Sequence, residues 1–63
     1  MTYAQITEIR EAIATETDPR RQLELRALLQ RLEEEIQDRP AEAVEAFLQD
    51  FKKDYCRFFG RWP

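Results

Sequence analysis

With 63 residues and 7.6 kDa the chain is one domain, 37% charged, with a net charge of −3 and a pI near 4.9. By surface scaling a chain of this size buries only about 60% of what its unfolded form exposes, a thin margin for a solitary core. It has no His, Ser or Asn, one Gly and one Cys, which removes Ser–His and Cys–His nucleophile pairs, the usual helical zinc and di-iron sites, phosphate-cradling glycine loops and any internal disulfide.

The first helix, α1, is predicted over 3–16. Thr2 and Gln5 have the spacing of a capping box, and Ile6, Ile9 and Ile13 repeat at 3-4 spacing with Tyr3 one turn earlier. The pattern dies in Thr15-Glu16-Thr17-Asp18. Asp18-Pro19 then restarts it, an N-cap carboxylate followed by a proline at the first helical position, where a missing N–H costs nothing.

The second helix, α2, is predicted over 19–37, with Leu25, Leu28, Leu29, Leu32 and Ile36 on one face and Leu23 on the opposite one. Asp38-Arg39-Pro40 is a second restart. A residue before proline is pushed away from helical backbone angles, so a turn is expected here in preference to one bent helix.

The third helix, α3, is predicted over 40–59, with Gly60 as the residue that ends it and Trp62 within reach of a fold-back contact. Six of the seven aromatic rings lie in the last 17 residues. Val44, Phe47, Leu48, Phe51, Tyr55, Phe58, Phe59 and Trp62 are spaced 3-1-3-4-3-1-3, which holds them within a sector of roughly 120° on a helix.

One Gly and three Pro leave too few turns for an all-β fold. The expected fold is all-α: a small helical domain in which α2 and α3 form an antiparallel hairpin, a shorter N-terminal helix lies across or alongside it, and dimerisation completes a helical bundle. Such a short chain has little material to cover both apolar stripes, so Leu25, Leu29, Leu32, Phe47, Phe51 and Tyr55 are the expected oligomer interface.

Charge points the same way. Residues 1–31 carry five acids and five bases, residues 32–50 seven acids against Arg39, and residues 51–63 four bases against Asp54. The third helix thereby matches its macrodipole, whereas the second, opening on Arg20 and Arg21 and closing on Glu33-Glu34-Glu35, opposes it. In an antiparallel hairpin the acidic ends meet at the turn and the basic ends at the open mouth. A two-fold dimer setting turn against mouth relieves both poles.

The segment from Lys52 to Pro63 interleaves bases with aromatics. Single-stranded nucleic-acid binding uses that combination, and so do membrane-interface helices, but the acidic balance of the chain and Glu42, Glu45 and Asp50 on the same helix weigh against both. A protein groove receiving Phe58, Phe59 and Trp62, with Arg57 and Arg61 beside them, suits the same residues as aromatic and arginine anchors. Cys56 lies at the edge of the stripe near Lys52 and Lys53, where cations favour the thiolate; without a base or second cysteine it reads as a passive thiol. The Glu33-Glu34-Glu35 triplet fans out by 100° per residue and cannot converge on one ion.

The sequence therefore predicts a non-catalytic protein–protein interaction module, an adaptor, regulator or accessory subunit, with no cofactor and no metal. Its partners are a second copy and a larger protein. The alternative is a nucleic-acid-associated regulator using the basic aromatic C-terminal segment. No apolar run is long enough for a membrane span, no signal-peptide pattern opens the chain, and the lone thiol suits a reducing, cytoplasmic setting.

Overall fold

The computed structural model describes residues 3–63. They form three helices, α1 (Ala4–Thr15), α2 (Pro19–Ile36) and α3 (Ala41–Phe59), and no strand among the described residues.

Each boundary has a local cause. Tyr3, extended at φ −92° and ψ 130°, precedes α1 without a side-chain cap bond, and Thr2 of the expected capping box lies outside the described residues. Between α1 and α2 the Glu16 carboxylate accepts from the Thr17 and Asp18 N–H groups at 3.1 Å each. Gln22 Nε2 reaches back to donate at 3.2 Å to the Ile13 carbonyl, which also accepts from the Glu16 N–H at 3.4 Å, so two donors close this helix end. Asp18 is extended, and its carboxylate accepts from the Arg20 N–H at 3.0 Å with Pro19 in the first turn. Asp18→Ala is expected to remove about 1 kcal/mol, a fall in Tm of roughly 4–8 °C for a domain of this size, measured by thermal circular dichroism.

The Arg39-Pro40 break is a turn. The Arg39 N–H donates to the Ile36 carbonyl at 3.2 Å and Pro40 is extended at φ −68°, ψ 158°. The Arg39 guanidinium donates to the Glu35 carbonyl at 2.7 Å, pairs with the Glu35 carboxylate at 3.4 Å and lies over the Phe47 ring at 4.3 Å. One side chain thus places a cation at the acidic C-terminal end of α2, where the helix dipole favours it, and pins the start of α3 to it.

Ile6 and Ile9 from α1, Leu32 from α2, and Val44 and Leu48 from α3 form one buried cluster, with Tyr3, Ile13, Leu28, Leu29, Ile36, Phe47, Phe51 and Trp62 packed around it. Leu25 is also buried, and Leu23 is exposed. Glu8 and Lys52 join α1 to α3 at 3.1 Å, and Arg10 and Glu33 join α1 to α2 at 3.7 Å; both pairs are partly solvated and modest in worth.

The closest backbone approach is between α1 and α2, with α1 also packed on α3. This differs from the expectation that α2 and α3 would be the intimate pair with α1 as an accessory. Ile6 and Ile9 of α1 share one cluster with Leu32 of α2 and Val44 and Leu48 of α3, and a groove lined from both helices lies between α2 and α3.

At the C-terminal end Gly60 takes φ +79°, and its N–H donates to the Cys56 carbonyl at 2.8 Å. This left-handed cap is the position where glycine avoids the Cβ penalty. A Cβ there would meet nothing within 4 Å, so Gly60→Ala is expected to cost about 1 kcal/mol from the backbone alone, read from urea unfolding.

Candidate functional site

The groove between α2 and α3 has a volume of about 560 Å³. Leu28, Leu32, Phe47, Phe51, Tyr55, Phe58 and Phe59 supply its apolar lining, and Arg31, Glu35 and Asp54 its charges. The rings follow one another along α3: Phe47 to Phe51 at 6.3 Å, Phe51 to Tyr55 at 6.2 Å, and Tyr55 to Phe59 at 4.6 Å between centroids. Those spacings follow from the i, i+4 geometry that aligns side chains on one helix face. At the open end Phe58 and Phe59 are 83% and 69% exposed. The Arg21 guanidinium is raised above its ordinary pKa by the nearby Tyr55 hydroxyl first and by Glu24, 3.4 Å away, after it, so it stays charged throughout the physiological range.

The residues expected at the oligomer interface separate into two sets. Phe47, Phe51 and Tyr55 are half-buried and line the groove. Leu25 and Leu32 are 2% and 1% exposed, buried within the single chain, with Leu32 at the floor of the groove. Leu29 is half-buried against the core and borders a separate shallow hollow with Arg26 and Glu33. Periodicity places all three on the apolar face of α2, and Leu29 and Leu32 of that face pack in the core that α1 and α3 share.

The residues expected to receive a protein partner also divide. Phe58, Phe59, Arg57 and Arg61 are exposed. Trp62 does not project beyond the helix. The Gly60 turn folds it back edge-on to Phe51 at 6.1 Å and Tyr55 at 5.4 Å, and its Nε1 is buried without a hydrogen-bond partner. Of the residues expected to enter a partner, Trp62 is thus the one packed back on α3, by the fold-back contact that its spacing from Gly60 allows. Lys52 lies 5.6 Å from the Trp62 ring while pairing with Glu8, so this cation is held within the fold. Cys56 is half-buried beside Lys52 and Lys53. Among the described residues no three of Cys, Asp and Glu converge as metal ligands do, and no helix is long and apolar enough to cross a membrane.

No known protein family, curated protein or solved structure matches this chain.

Sequence reasoning missed Leu28, Arg31, Glu35 and Asp54 as groove residues. Leu28 falls in the α2 stripe without a role, Glu35 reads only as a member of the acidic triplet, and Arg31 and Asp54 enter only the charge count. A signal was present: Leu28, Arg31 and Glu35 follow at i, i+3 and i+7, and Asp54 lies at i+7 from Phe47 and i−4 from Phe58, positions that share a helix face.

Proposed function

We propose that this protein is a non-catalytic protein–protein interaction module, an adaptor, regulator or accessory subunit of a larger complex, acting through the aromatic face of α3 and its basic aromatic end. The observation that carries this reading is the pair Phe58 and Phe59, left exposed at the mouth of an apolar groove. A continuous apolar patch rimmed by charges is a feature that soluble proteins keep for contact. The exposed surface, 4878 Å², exceeds the about 4300 Å² that scaling gives a self-contained 7.6 kDa protein, and supports the same reading. Completion of the α2–α3 hairpin into a larger bundle by self-association belongs to it, as does a cytoplasmic setting.

The nucleic-acid alternative draws less support, because Trp62 is withdrawn from the basic segment and Lys52 is engaged by Glu8. Base stacking would rest on Phe58 and Phe59 alone, on a helix that also carries Asp50 and Asp54.

The test is the double variant Phe58→Ser/Phe59→Ser. Both side chains are mostly in solvent, so helicity and Tm should stay close to wild type. Recovery of partner proteins on a tagged bait should fall at least tenfold, as expected when two aromatic anchors are removed. Undiminished recovery would refute the reading, and steeply salt-dependent binding to single-stranded polynucleotide would favour the alternative.

A further inference from the structure

We propose that the α2–α3 groove is closed by the same groove of a second copy, set end for end, so that Arg31 of each copy faces Asp54 of the other. This rests on the interaction-module reading and names the occupant of its surface.

The groove is electrically directional. Asp54 lies thirteen residues past the start of α3 at Ala41, about 20 Å from the turn at the helical rise, and lines the groove beside Tyr55. Arg31 lies five residues before the end of α2 at Ile36, about 8 Å from the turn, and lines the same groove. Glu35, nearer still to the turn, is paired with Arg39 at 3.4 Å, so the unpaired charges of the groove are a cation toward the turn and an anion toward the mouth. Both are exposed, and neither belongs to any ion pair found among the described residues. Within one chain they are too far apart in height to meet.

A two-fold rotation across the helices reverses that order, and an isologous contact repeats every pairing twice. Arg31 then stands at the height of Asp54 of the second copy, and Asp54 at the height of its Arg31. The same reversal carries the exposed Phe58 of each copy toward the Phe47 end of the other groove, where apolar lining awaits it. It also sets the base-rich residues 51–63 over the acid-rich residues 32–50 of the other copy. An unrelated apolar helix would fill the groove without using this self-complementary order; a second copy uses all of it.

Sedimentation equilibrium of the full chain should show a dimer at micromolar concentration. R31E alone and D54R alone each create two like-charge pairs per homodimer, so each should raise the dissociation constant at least tenfold while helicity is retained. Mixed one to one, R31E of one copy faces D54R of the other and the second Arg31–Asp54 pair is intact, so the mixture should regain wild-type association. If R31E loses helicity beside Glu33-Glu34-Glu35, R31Q replaces it in the same mixing experiment, where the mixture should still associate more tightly than D54R alone. A wild type that is monomeric to hundreds of micromolar overturns the proposal, and so does a mixture no tighter than its components. If the wild type is monomeric while F58S/F59S still abolishes capture of another protein, the second copy is the wrong occupant and the interaction-module reading stands.

Discussion

Replacing Leu48 by alanine should unfold a substantial fraction of the protein at 37 °C. Leu48 is fully buried where Ile6 and Ile9 of α1, Leu32 of α2 and Val44 of α3 converge. Truncating a leucine in such a site costs about 2–5 kcal/mol, the lost transfer energy plus the cavity left behind. A 63-residue domain has roughly 3–9 kcal/mol in total, so this one side chain holds much of the reserve. Far-ultraviolet circular dichroism with urea titration reads the effect. A midpoint within experimental error of wild type would mean that the three helices do not share this core.

The second large effect is expected at Trp62. Its ring packs edge-on to Phe51 and Tyr55 and touches the periphery of the core. Trp62→Ala should cost about 2–3 kcal/mol, somewhat below the range for a fully enclosed tryptophan because the residue is only half-buried. Trp62→Phe separates two contributions. It keeps an aromatic ring against Phe51 and Tyr55 but removes Nε1, whose burial without a partner carries a desolvation cost of about 1–3 kcal/mol. The phenylalanine variant should therefore unfold within about 1 kcal/mol of wild type, far above the alanine variant. An alanine variant as stable as wild type would return Trp62 to the role of a free anchor.

The helices were legible because proline and glycine mark their ends by covalent geometry. Asp18-Pro19 starts α2, Arg39-Pro40 separates α2 from α3, and Gly60 stops α3; none of these depends on distant contacts. The Ile6-Ile9 and Val44-Leu48 faces were legible for a similar reason, since a 3-4 spacing defines a face whatever covers it. Which helix does the covering is a tertiary choice that periodicity does not encode. Leu25, Leu29 and Leu32 read as free for a second copy, yet Leu25 and Leu32 are buried within the chain and Leu29 packs against the core. Glu8 and Lys52 are 44 residues apart, and nothing local in either segment announces their meeting. Trp62 was ambiguous because the fold-back at Gly60 and a projecting tail share one sequence; packing against Phe51 decides it.

The two interhelix connections, 16–18 and 37–40, have a kinetic consequence. Closing loops this short sacrifices little chain entropy, and the contacts they bring together are mostly near in sequence. Chains dominated by such local contacts fold in microseconds to milliseconds. The three helices should therefore assemble within that window, and the indole of Trp62, seated only after the chain has turned at Gly60, supplies a fluorescence signal that follows docking of the helices separately from the growth of helical backbone.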